Sequence, residues 1–295
     1  MRKLWLILSA IPILLPLASA EECGLLNLAT CIPQKIYDFI IGIINAPISP
    51  LLTLVKSLLT EPVRTTLFSP IWAIMVYILS LFYGLLILYS GFNFILSGYN
   101  AARREKAKEW LRNVLIMIVL VQASYFLYSL VLDLNSLMTA GVMNIIDENF
   151  FKITADNIIN IGLQFFFSVI YVIALLLAAL VLTIRYLIVA AGVVLIPLAI
   201  FLYYIPPLQS YGRAILYFLA SCIFSTFLDA IIFLVSSKLL EVGLFADFKI
   251  LVMISAFGLA NLLMLYLMFF SMLRAALNMT DKVVGLIAMG AKYFA

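Results

Sequence analysis

The chain has 295 residues, 66% of them hydrophobic and only 11% charged, and a mean hydropathy of +1.21. Too little polar material is present to cover a soluble globule, so the composition points to an all-α, polytopic helical membrane protein. A formal charge of +4 is too small for a general nucleic-acid binder, and zero histidines remove Ser-His and Cys-His nucleophile pairs, imidazole metal ligands and the usual proton carrier near neutral pH.

The chain opens with Arg2 and Lys3, an apolar run from Leu4 to Leu17, and then Ala18, Ser19 and Ala20. That order reads as a cleaved signal peptide over 1–20, or else as a retained first helix; the apolar run is short for a span. Cleavage leaves a charge of about +2 and a mature amino terminus outside. Residues 21–69 then form an extracellular or interfacial amphipathic segment. Cys23 and Cys31 fall in it, where oxidising conditions allow them to pair across a short loop or to remain two free thiols. From Pro33 to Thr60 the apolar pattern is interrupted by Pro47 and Pro50. Gln34, Asp38, Gly42 and Asn45 share one helical face before the break, and Thr53, Lys56, Ser57 and Thr60 make a polar stripe after it. Two short helices in the membrane interface are expected, with a re-entrant pore-lining element as the alternative.

Residues 70–273 form the expected transmembrane helical domain. Ser69 and Pro70 supply a cap and a first-turn proline for a span over Ile71 to Leu96, with Trp72 and Tyr99 at its two boundaries. Gly84, Gly91 and Gly98 recur every seven residues and leave one face nearly bare, a seam for another helix of this chain or of a second copy. The densest basic cluster follows: Arg103, Arg104, Lys106, Lys108 and Arg112 against Glu105 and Glu109. Basic residues beside a span resist translocation, which places this connection in the cytoplasm. It is expected as a short solvated helix with Glu105–Lys108 and Glu109–Arg112 pairing, facing anionic headgroups, a cytoplasmic partner or nucleic acid. Leu115 to Met138 crosses back carrying Gln122, Asp133 and Asn135. The next connection, Thr139 to Asn157, has an acidic balance that suits the outside.

The longest apolar tract, Ile158 to Ile205, would measure roughly 70 Å as one helix, over twice a hydrocarbon core. Division at Thr183–Tyr186 gives about six spans and puts Arg185 at a cytoplasmic end. Pro197 should kink its helix, and Pro206 and Pro207 should end it. Crossings over Ala214–Ser237 and Ile250–Leu273 follow, then an amphipathic tail over 274–295. Six spans leave the tail outside; counting the long tract as one element gives five and places it inside. Asp229 lies near the middle of its span with Ser221, Ser225 and Thr226 just before it. It reads either as an acid in a transport pathway or as a structural group, paired with Arg185, Arg213 or Arg274 or held protonated. Arg185, Gln122, Asp133 and Asn261 are the other intramembrane polar candidates.

There is no G-x-x-x-x-G-K-[ST] loop and no G-x-S-x-G elbow, so no enzyme, cofactor or metal is expected. Three stretches carry a resemblance: GFNFILSGYNAARREKAKEWLRN from Gly91, LVQASYFLYSL from Leu120, and LIPLAIFLYYIPPLQSYGRAILYF from Leu195. With the leader, they make the sequence similar, over most of Pro70 to Leu273, to the TrbL family of polytopic subunits in type IV secretion and conjugation machines, particularly its archaeal members. The resemblance implies a channel or platform subunit in the cell (cytoplasmic) membrane for DNA or protein translocation, working with a secretion-type ATPase and pilin-like subunits. DNA would pass without sequence-specific binding. Further expected partners are membrane lipids and other copies of the chain. Two other functions fit the residues: a self-contained small-solute channel or secondary transporter, with Pro197 marking a broken helix, and a scaffold anchoring an extracellular assembly.

Overall fold

The structure is a computed structural model that describes residues 28–98, 101–152, 161–242, 245 and 248–294. The expected signal peptide, Cys23 and the side chains of Cys31 and Arg274 lie outside the described set. The described residues form six long helices: α1 (Leu28–Thr60), α2 (Ser69–Leu96), α3 (Ala101–Met143), α4 (Ile161–Tyr204), α5 (Gln209–Leu239) and α6 (Lys249–Phe294). Short 3-10 turns stand at Thr65–Phe68, Glu148–Phe151 and Pro206–Leu208, and no strand occurs among the described residues. Among the described residues, five stretches, within α2 to α6, are long and apolar enough to cross a membrane. The protein is therefore a multi-pass, all-helical membrane protein.

The long apolar tract is one helix, not two. Thr183–Tyr186 lies inside α4, whose 44 residues run about 66 Å. Nothing there breaks the backbone, since it has neither Gly nor Pro, and the Thr183 hydroxyl donates back to the Ala179 carbonyl at 2.7 Å. Arg185 has no need of a water-facing turn, because its polar groups are satisfied by a neighbouring helix, as described below. α4 also continues through Pro197, which is buried and removes one internal donor. The count of five spans is thus the one obtained by taking the tract as a single element. It agrees with a further placement: Pro206 and Pro207 lie at the same end of the molecule as Arg103 and Lys106, whereas six spans would separate them.

α1 differs from expectation in the same sense. Its 33 residues form one helix through Pro47 and Pro50. Both prolines sit on the exposed face, while Ile48, Leu52, Val55 and Leu59 make a buried stripe opposite. The lost backbone bonds are therefore on the outer side, and packing holds the inner side together. The basic segment is not a separate short helix; it forms the first turns of the 43-residue α3. The tail is not separate either, since α6 runs on to Phe294.

α4 is the axis of the bundle and touches every other long helix. Around it the buried side chains fall into three clusters. One joins α1, α4, α5 and α6 around Tyr171, Phe233 and Phe257. A second centres on Tyr128, Val189, Val193 and Cys222, and a third on Val76, Val114, Val121 and Phe201. The turn after α3 is clasped to the first of these clusters. The Tyr171 hydroxyl donates to the Phe151 carbonyl at 3.0 Å, and the Lys249 ammonium donates to the Asn149 carbonyl at 2.7 Å.

Candidate functional site

From Val114 onward the buried positions of α3 are Val114, Met117, Val121, Ser124, Tyr128, Leu132, Asn135, Thr139 and Met143, a three-and-four spacing that keeps one face turned to α4 and α5. α5 answers with Leu219, Cys222, Ile223, Thr226, Asp229 and Phe233. Where these stripes meet α4, polar groups converge inside the apolar bundle. The Arg185 guanidinium donates through Nε to the Cys222 carbonyl at 2.7 Å and through Nη2 to the Ile223 carbonyl at 3.0 Å. It also reaches the Thr226 hydroxyl at 3.5 Å. A carbonyl oxygen has two lone pairs, so these helical carbonyls can accept from Arg185 while keeping their backbone partners. The Asn135 amide, on α3, donates to the same Thr226 hydroxyl at 2.9 Å.

Asp229 stands one turn beyond Thr226 on the same face. It is 3% exposed and Arg185 is 4% exposed, yet no ion pair within bonding distance joins them. Asp229 Oδ1 and Asn135 Oδ1 are both buried acceptors without a partner among the described residues. Of the partners expected for Asp229 whose side chains are described, Arg213 lies exposed at the start of α5 and Arg185 is brought into the cluster. Asn261 lies elsewhere, tying α6 to α4 by donating to the Ala174 carbonyl at 3.1 Å.

Gln122 and Asp133 are on the opposite face of α3. Both are exposed, within the apolar span Ala101–Met143, and neither bonds to a described residue. They are eleven residues apart, about three helical turns, so they align on one side with Ser129 between them. The rest of that side is Phe126, Leu130 and Leu137, which are 68%, 55% and 72% exposed. A carboxyl and an amide on an otherwise apolar, outward face have no means of satisfaction in hydrocarbon.

Arg103, Arg104, Lys106, Lys108 and Arg112 are all exposed. The expected Glu105–Lys108 and Glu109–Arg112 pairs are not formed; instead Arg104 stacks over Phe94, 5.8 Å from the ring centroid. The heptad glycines are not packed against another described helix. A methyl group built on Gly84 or Gly91 meets nothing within 4 Å, and one on Gly98 meets only its own local carbonyl, that of Ile95, at 3.4 Å.

The close approaches are at two other glycines, which the sequence does not single out. Gly192 faces the Tyr128 hydroxyl, which donates to the Val189 carbonyl at 2.7 Å. Gly212 lies directly against the backbone of Ala199 and Tyr203, closing the hairpin between α4 and α5. The cluster residues Asn135 and Thr226 likewise carry no motif. The available signal is register: the three-and-four stripe through Val121 and Tyr128 puts Asn135 inside and leaves Gln122 and Asp133 outside.

A family profile described as "TrbL/VirB6 plasmid conjugal transfer like protein" matches residues 59–293. No curated protein and no solved structure matches the chain.

Proposed function

Because the chain belongs to the TrbL/VirB6 family of plasmid conjugal-transfer-like proteins, and is thus a membrane subunit of a conjugal-transfer-like system, we propose that it is a channel subunit of that system. Several copies would close a ring in which the outward stripe of α3 lines a hydrated pathway. The observation that carries this reading is the alignment of Gln122, Ser129 and Asp133 on the outer face of an apolar span. Such groups are stable against water or against another protein surface, and costly against lipid chains. A ring of copies supplies both environments.

The buried cluster of Arg185, Thr226, Asn135 and Asp229 has a different role in this reading. It fixes the register of α3, α4 and α5 behind the pathway, because a guanidinium satisfied by two named carbonyls permits one alignment of the helices. The basic turns of α3 lie on the cytoplasmic side of the cell membrane, and with five crossings the carboxyl terminus is there too. The chain acts as conduit and not as catalyst. Energy for transfer comes from a secretion-type ATPase partner, and pilin-like subunits receive the cargo on the other side.

The test is DNA transfer from donor cells whose own copy is replaced. Asp133→Leu together with Gln122→Leu is expected to cut transfer by two orders of magnitude or more with the membrane level of the protein unchanged. Leu127→Ala and Leu134→Ala, on another exposed flank of α3, are expected to leave it within a few-fold. Full transfer by the double leucine variant would refute the pathway.

A further inference from the structure

A pocket of about 600 Å³ opens where the end of α2, the first turns of α3 and the Pro206–Pro207 turn come together. The residues that give it chemistry are Arg103, Lys106 and Trp110 of α3 with Tyr89 and Asn93 of α2. Arg103 and Lys106 carry two positive charges and form no ion pair; Glu105 and Glu109 do not line the pocket. The Trp110 ring is set edge-on to Tyr89, with centroids 5.9 Å apart. The ring lines the wall, while its indole N–H is buried away from the open space and has no acceptor among the described residues.

Arg and Lys are donors without acceptor capacity. Arg103 and Lys106 at one cavity favour an anion whose surface is acceptor oxygens, which is the description of a phosphate. The volume is well beyond what a phosphate ion alone would fill and falls in the ordinary range for organic ligands. Beside the pocket stand the strongly exposed apolar side chains of Ile95 and Leu96, 77% and 61% exposed. An occupant with a phosphate head and hydrocarbon chains would place the head in the pocket and the chains along this outer face of α2. Basic residues and interfacial aromatics at the end of a span are also where headgroups lie.

We propose that this pocket binds the phosphate headgroup of an anionic phospholipid drawn from the surrounding bilayer. It is a specific site, distinct from the diffuse attraction of the remaining basic residues, because Lys108 and Arg112 are exposed on the same helix but outside it.

The experiment uses the full-length protein in mild detergent with added phosphatidylglycerol or phosphatidylcholine, and native mass spectrometry to count retained lipids. Wild type is expected to keep one phosphatidylglycerol at concentrations where phosphatidylcholine is lost. Arg103→Gln with Lys106→Gln should weaken that retention at least ten-fold, while Lys108→Gln with Arg112→Gln leaves it unchanged. Equal retention of the two lipids, or equal loss in both double glutamine variants, overturns the site. Inorganic phosphate and a short single-stranded DNA are the competitors. Release of the lipid by millimolar phosphate or by DNA would overturn the lipid assignment in favour of a free phosphate or a nucleic-acid backbone. Should a variant fail to fold, the wild-type lipid preference and the competition decide alone.

Discussion

Arg185 illustrates how a helix interior holds a charge without a carboxylate at bonding distance. Two carbonyls and a hydroxyl of α5 take its N–H groups, and Asp229 stands one turn further on. Arg185→Leu gives up these charge-assisted bonds and is expected to destabilise the protein by about 3 kcal/mol, while Arg185→Leu with Asp229→Leu recovers part of the loss, as read from unfolding in detergent. Additive losses in the double variant would show that the two charges do not act together. Asp229 and Arg185 are legible in the sequence as rare charges in apolar runs. Thr226, which Arg185 shares with Asn135, and the amide of Asn135 are not, because a hydroxyl or an amide in a span is common and only register tells which ones point inward. Gln122, Asp133 and Asn135 stand on one span in the sequence, and the structure sends the first two outward and the third into the core.

At the scale of elements, the sequence marks apolar segments well and their ends poorly. The stretch from Ile161 to Tyr204 has no helix breaker near its middle, and the single charge that suggests a turn is absorbed by α5. Pro47 and Pro50 look like a break but lie on the exposed side of a helix whose other side is packed. Glycines mislead in the opposite direction. The regular series of Gly84, Gly91 and Gly98 meets no other described helix, whereas Gly212 sits where a β-carbon would collide with the backbone of Ala199 and Tyr203. Backbone cannot yield as a side chain can. Gly212→Ala is therefore expected to cost about 1–3 kcal/mol and to lower the thermal midpoint of the purified protein. Gly84→Ala with Gly91→Ala should leave that midpoint unchanged in the isolated chain. A loss from the latter pair as large as that from Gly212→Ala would contradict the packing described.

For the whole molecule, composition alone announces a multi-pass helical membrane protein, and three diffuse motifs indicate its family. What neither conveys is which surfaces a single copy leaves unfinished. Helices in a bilayer gain little from burying apolar surface, so association rests on close packing and polar contacts. The outer face of α3 offers polar groups, and the bare glycine face of α2 offers close approach. Both point away from the bundle of one copy, which is the pattern expected of a subunit.

The most direct test of the pathway is the reactivity of single cysteines along α3 toward a membrane-impermeant thiol reagent in cells with the assembled system, using a background in which Cys222 and the two amino-terminal cysteines are replaced. Cysteines at positions 122, 126, 129 and 133 should be labelled, and cysteines at 127 and 134, on the other exposed flank, should not. Uniform protection of all six positions would place the outer face of α3 against lipid or dry protein and contradict the account.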